Sequence, residues 1–211
     1  MIHGIYIITD EVIFPGRTHV DIARAAVEGG ASVIQLRDKN ASDEYMIEAG
    51  RAIRQLTRDA GVLFIVNDRL EVALACDADG LHVGSSDRAA SEIRHLLRGK
   101  ILGVSAATLE EARKAREGEA DYIGVGPIFD TSTKLDAGAG IGLEMIETLR
   151  AESGGLPVVA IGGINASNLA DIAKAGADSA SLISAVVCTP DMTKATRNLV
   201  ALWRYSKHGD N

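Results

Sequence analysis

Cysteine is scarce in this chain: Cys76 and Cys188 form no Cys-x-x-Cys pair and no disulfide framework, which makes a reducing cytoplasm the default setting. Positive charge is not in excess either. Against 29 Asp and Glu stand 22 Lys and Arg, a net charge of −7, whereas nucleic acid as the main partner would favour a basic surface. Any local cluster of cations is therefore read as a specific site. No apolar run approaches the length of a membrane span, and the opening segment, apolar up to Ile8 and then broken by Thr9, Asp10 and Glu11, lacks the cationic start and cleavage signal of an export peptide. A Gly-x-Ser-x-Gly elbow, a P-loop and a His-rich metal motif are also missing, which removes the usual signatures of a nucleophilic triad, a nucleotide site and a zinc site.

What is present is repetition. Four junctions follow helical periodicity with Ala beside a small or acidic residue and then a strand: Gly30-Ala-Ser-Val-Ile-Gln35, Asp77-Ala-Asp-Gly-Leu-His82, Glu119-Ala-Asp-Tyr-Ile-Gly124 and Gly176-Ala-Asp-Ser-Ala-Ser181. Four further strand-like runs, at 2–8, 62–66, 101–104 and 157–161, bring the number to eight. Helical spacing of apolar residues is read over about 20–28, 42–60, 70–75, 89–97, 109–116, 143–150, 168–175 and 190–205. Thr18, Ser42, Thr108 with Glu111 and Ser167 are start signals. Eight alternating pairs imply parallel strands, and a single (β/α)8 TIM barrel is the natural closure, with an open doubly wound sheet as the alternative. With 46% apolar residues and no linker, residues 1–211 are expected to form one domain, 206–211 being a frayed tail.

A barrel of this kind works at the C-terminal ends of its strands, so the residues that follow each strand carry the chemistry. In Gln35-Leu-Arg-Asp-Lys39, period two sets Gln35, Arg37 and Lys39 on one side, an amide and two cations for one ligand; a solvated strand end with surface pairs is the competing role. Asp68 and Asp87 follow the third and fourth strands and suit a hard divalent cation, Mg²⁺ first, although helix capping would use the same positions. Ser105 follows the fifth strand. The sixth runs into Gly124-Val-Gly-Pro-Ile-Phe-Asp-Thr-Ser-Thr-Lys134, whose glycines, Thr131, Thr133 and Lys134 suit an anion. Gly-Gly at 162–163 and Ser181-Leu-Ile-Ser-Ala185 end the seventh and eighth strands, where such barrels hold phosphate on backbone N–H groups. His82, flanked by Leu81 and Val83, reads as a satisfied core histidine rather than a base. Trp203 and Tyr205 read as packing or subunit contact. Two anion sites follow, one for a monophosphate and one, richer in cations, for a diphosphate.

In this order, Tyr6-Ile-Ile-Thr-Asp10, Gln35 to Lys39, Asn67-Asp-Arg69, Asp79-Gly-Leu-His-Val-Gly84 with Asp87, Gly126 to Lys134 and Ile161-Gly-Gly-Ile164 resemble the thiamin phosphate synthase family over almost the whole chain. The resemblance implies a transferase that joins hydroxymethylpyrimidine diphosphate to hydroxyethylthiazole phosphate with Mg²⁺. It implies Asp68 and Asp87 for the metal, and Gln35, Leu36, Arg37, Asp38, Lys39, Asn67, Ser105 and Lys134 for the pyrimidine diphosphate. For the thiazole phosphate it implies Thr131, Ser132, Thr133, Gly163, Ile183 and Ser184. Arg37, Lys39, Ser105 and Lys134 are the expected catalytic residues. Small molecules are the expected partners, with neither nucleic acid nor membrane, and a homodimer is left open. Ser85 and Ala107 depart from the commonest family pattern, where Gln and His stand. The sister thiazole tautomerases use a histidine near the second position and lack an intact Thr-x-Thr-Lys, so Ala107 with Lys134 argues for the synthase. A silent phosphate-binding barrel would be expected to lose a carboxylate or clamp cation, and a phosphosugar aldolase would need a Schiff-base lysine inside a strand.

Overall fold

A computed structural model describes residues 1–84, 90–97, 99–131 and 138–208. Eight parallel strands close in chain order: β1 Gly4–Ile8, β2 Val33–Leu36, β3 Leu63–Asn67, β4 Gly80–Val83, β5 Ile101–Ala106, β6 Tyr122–Val125, β7 Val158–Ile161 and β8 Ser179–Leu182. Pairing of Gly4 with Ser179 and of Ile7 with Leu182 seals the ring, so the open sheet is excluded. The helices among the described residues are α1 His19–Gly29, α2 Asp43–Ala60, α3 Leu70–Ala75, α4 Ala90–Leu96, α5 Leu109–Glu117, α6 Glu144–Glu152, α7 Leu169–Lys174, α8 Ser184–Val187 and α9 Met192–His208.

The strands read as near-continuous apolar runs because both of their faces are covered. One parity, with Ile5, Ile7, Ile34, Leu36, Phe64 and Val66, packs outward against the helices. The other, with Tyr6, Ile8, Val33, Ile65, Tyr122 and Val159, fills the barrel. That alternation decides which residues beyond the strand ends can reach the barrel mouth.

The four repeated junctions share one local structure. Gly30, Asp77, Glu119 and Gly176 take positive φ, at 90°, 52°, 58° and 94°, ending the preceding helix. The next residue, Ala31, Ala78, Ala120 or Ala177, is buried, and the strand begins two residues after it. At the three aspartates the carboxylate accepts a backbone N–H of the neighbouring strand, Phe64, Leu102 or Val158, at 2.8, 2.7 and 2.8 Å. Each also pairs with an arginine from a covering helix: Arg54 with Asp79, Arg94 with Asp121 and Arg150 with Asp178. These clamps tie the even strands down at the N-terminal face, opposite the barrel mouth.

Thr18 and Thr108 form capping boxes with Asp21 and Glu111, and Ser42 caps α2. Ser167 caps nothing: Asn168 precedes α7, and Ser167 bonds the Asn165 side chain instead. The short α8 was not expected, and α9 runs to His208, so residues 206–208 are helical rather than frayed. Lys207 is anchored there on the Ala173 carbonyl, while 209–211 lie outside the described residues. No helix among the described residues is long and apolar enough to cross a membrane.

Candidate active site

A cavity of about 170 Å³ opens at the C-terminal ends of the strands. The inward parity of β2 continues past its end, and the cavity is lined by Gln35, Arg37 and Lys39. The two residues between them go elsewhere. Leu36 is fully buried in the layer between barrel and helices. Asp38 accepts from the N–H groups of Asn40 and Ala41 and closes a turn. Burial opposes ionisation of Asp38, yet those N–H bonds prevail and its pKa lies below the usual value. The two-residue period of the strand therefore turns the Leu36 and Asp38 side chains away from the cavity that Gln35, Arg37 and Lys39 line. Arg37 is steered from behind by Asp10, whose carboxylate lies 3.3 Å from Nη1 and also caps the N–H groups of Val12 and Ile13.

β3 delivers Asn67 and Asp68 to the same cavity. Asp68 has φ of 59°, and the Arg69 N–H closes on the Asn67 carbonyl at 2.7 Å, a tight γ-turn of a kind that is rare and strained. The helix α3 begins after Arg69, whose own side chain makes no cap bond. Asp87, with Ser85, lies outside the described residues. No cluster of three metal-binding side chains occurs among the described residues. The donor set suits a cation that takes one or two carboxylates and completes its shell with waters and phosphate oxygens, the habit of Mg²⁺.

The floor of the cavity is a hydrogen-bonded chain crossing the barrel. Gln35 Nε2 donates to the Tyr6 hydroxyl at 2.7 Å, and that hydroxyl meets the Tyr122 hydroxyl at 3.1 Å. Tyr122 meets His82 Nδ1 at 3.0 Å, and His82 Nε2 meets Ser105 Oγ at 3.0 Å. An amide nitrogen can only donate, so Tyr6 accepts from Gln35, while the bond between the two phenols and those to the imidazole can run either way. In the arrangement that leaves the Ser105 proton for the cavity, Tyr6 donates to Tyr122, Tyr122 donates to Nδ1, and His82 carries its proton on Nε2. Burial pushes the pKa values of both phenols well up, so both stay neutral. Gly103 makes room for it: a Cβ there would stand 2.1 Å from Tyr122 Cζ. His82 is satisfied, as the sequence suggests, and it also faces the cavity. The tyrosines escape sequence reading because each sits inside an apolar strand; only their inward parity marks them.

Across the mouth, Ile8, Val159, Ile161 and Ile183 form an apolar wall. Ser181, also lining the cavity, has a buried hydroxyl without a partner. Gly163 does not line the cavity; it packs on Phe129 and Asp130, where a Cβ would come within 2.7 Å of both. Ser184 opens α8 at the surface, one residue past the lining Ile183. Thr131 is half-buried at the end of a described stretch, and Ser132, Thr133 and Lys134 fall outside the described residues. Ala107 donates its N–H to Glu111, at the head of α5. The result is a two-sided site, with cations and a carboxylate facing an aliphatic wall above a flat polar floor.

A family model described as thiamine monophosphate synthase matches residues 5–186. The chain is 51% identical over 198 residues to the thiamine-phosphate synthase of Chloroflexus aurantiacus, covering 94% of this chain and 91% of the relative. It is 48% identical over 206 residues to that of Methanospirillum hungatei, covering 96% and 98%. Among solved structures, thiamine phosphate pyrophosphorylase from Pyrococcus furiosus superposes with a TM-score of 0.88 at 42% identity, over 96% of both chains.

Proposed function

The chain belongs to the thiamine monophosphate synthase family, and from that premise we propose how its cavity makes thiamine phosphate. The protein is a transferase of thiamine biosynthesis. Its two substrates are hydroxymethylpyrimidine diphosphate and hydroxyethylthiazole phosphate. The observation that carries the mechanism is the convergence of Arg37 and Lys39 from one strand end with Asp68 from the next, beside the relay floor.

Arg37 and Lys39, joined by Lys134, bind the diphosphate. Asp68 and Asp87 would hold Mg²⁺, which when bound neutralises part of the charge on the leaving group. The pyrimidine lies on the floor, where Gln35 and the Ser105 hydroxyl offer polar contacts held in place by the relay. The carbon–oxygen bond to the diphosphate breaks with both electrons leaving on oxygen. The ring-stabilised methylene cation is then captured by the lone pair of the thiazole nitrogen. No proton is removed in that step, so no base is needed, and the absence of a nucleophilic triad is consistent with the chemistry. Ile8, Ile161 and Ile183 exclude water from the cation and pack on the thiazole. Thr131, Thr133 and the backbone near Gly163, Ile183 and Ser184 hold its phosphate. A cytoplasmic setting is part of the proposal, supported by the free thiols of Cys76 and Cys188.

The test mixes the purified protein with both substrates and Mg²⁺ and measures thiamine phosphate, with Asp68→Ala and Lys134→Ala in parallel. Lys134→Ala is expected to lose about 2.7–4 kcal/mol of transition-state stabilisation, as for loss of one preorganised electrostatic donor. No product from the wild type, or undiminished product in both variants, would reject the mechanism.

A further inference from the structure

Arg69 is absent from the cavity wall, yet it follows directly on the strained turn that carries Asp68. Its guanidinium reaches to the loop after the neighbouring β2. Nη2 donates to the Asp38 carbonyl at 3.0 Å, and Nη1 donates to the Ala41 carbonyl and to Asp43 Oδ1, both at 2.7 Å. Two of those acceptors are backbone atoms flanking Lys39, so the arginine ties main chain to main chain. On the other side, the Arg69 N–H closes the turn on Asn67, and the Asp68 N–H is held by the His82 carbonyl at 2.8 Å. A non-glycine residue at φ of 59° persists only where its surroundings over-determine it. Here the surroundings are a strand on one side and the Arg69 tie on the other.

We propose that Arg69 is a positioning residue that fixes the spacing between the metal-binding carboxylate of Asp68 and the diphosphate cations Arg37 and Lys39, a role that rests on the site assignment above. A planar group spanning three acceptors suits this task, since it sets orientation as well as distance. Without it, the cations and the carboxylate remain present, but the diphosphate can no longer engage both at once.

The experiment compares wild type, Arg69→Ala and Asp68→Asn. Calorimetric titration with inorganic diphosphate, with and without Mg²⁺, reads the site without turnover. In Arg69→Ala the gain in diphosphate affinity given by Mg²⁺ should fall by about tenfold, the lower end for loss of a group that orients a metal ligand. In kinetics, the Mg²⁺ half-saturation and the KM for the pyrimidine diphosphate should rise together, the KM for the thiazole phosphate should hold, and guanidinium ion should restore part of the loss. Wild-type Mg²⁺ dependence in Arg69→Ala, beside a crippled Asp68→Asn, overturns the clamp alone, even if Tm drops. Equal rises in both KM values do the same. Wild-type Mg²⁺ dependence in Asp68→Asn removes the metal assignment beneath it, and the clamp with it.

Discussion

Replacing Tyr122 with Phe removes one oxygen atom and tests the direction of the relay on the cavity floor. That oxygen lies 3.1 Å from the Tyr6 hydroxyl and 3.0 Å from His82 Nδ1. Its loss leaves the Tyr6 proton without an acceptor in a position only 2% exposed. A stranded buried polar group costs about 1–3 kcal/mol, whereas His82 is open to the cavity and can recruit water. Counting the Tyr6 side in full gives about 2 kcal/mol, or a Tm lower by about 4–8 °C for a chain of this size. Activity should suffer by a separate route. Without a donor at Nδ1 the His82 proton is no longer held on Nε2, Ser105 turns its own proton from the cavity to that nitrogen, and kcat/KM for the pyrimidine diphosphate should fall about tenfold, equivalent to about 1.4 kcal/mol. Tyr6→Phe lies upstream: it costs stability too, but leaves the Tyr122 proton free to reach His82. Urea denaturation and steady-state kinetics measure these losses, and ¹⁵N NMR of the His82 ring reads the tautomer. The reasoning is refuted if Tyr122→Phe changes stability by less than about 0.5 kcal/mol with normal kinetics, or if the wild-type ring carries its proton on Nδ1.

At the opposite face, Asp121→Ala strands the buried Leu102 N–H and should cost about 1–3 kcal/mol in urea denaturation while leaving kcat/KM unchanged. Asp121→Asn, whose side-chain carbonyl can still accept, should cost less; equal losses would count against the clamp. His19 is buried between Thr9, Glu11, Asp38 and Tyr45, with Asp10 nearby. Burial lowers its pKa below 6.5, only partly offset by Glu11, Asp38 and Asp10. Below that value the unfolded chain takes up the proton first. The contribution is therefore complete above 6.5 and is lost as pH falls toward the folded value. His19→Gln should flatten that limb of the stability–pH curve, and an unchanged slope would contradict it.

The barrel was legible because its repeats are local. Each left-handed residue followed by Ala and an acidic or small residue marks a helix end and a strand start within four positions, so four of the eight strands announce themselves. Gln35, Arg37 and Lys39 were legible for a similar reason, since a strand's period of two is a property of neighbours. The same period sends the alternate side chains elsewhere: Leu36 and Asp38 belong to the sequence signature, but point to the helix layer and into a turn. The four-residue α8 gives too short a pattern to register.

Local sequence determined the alternation of strands and helices, their parallel pairing and the cations offered at the strand ends, because those depend on residues a few positions apart. Only the tertiary structure decided that Tyr6, Tyr122, His82 and Ser105 form one hydrogen-bonded floor, and that Arg69 ties the Asp68 turn to the loop after β2. Those contacts join residues 23 to 116 positions apart. The bond between Tyr6 and Tyr122 exists because closing the ring brings the inward faces of β1 and β6 to a common axis, while the Arg69 tie follows from the parallel pairing of β2 with β3.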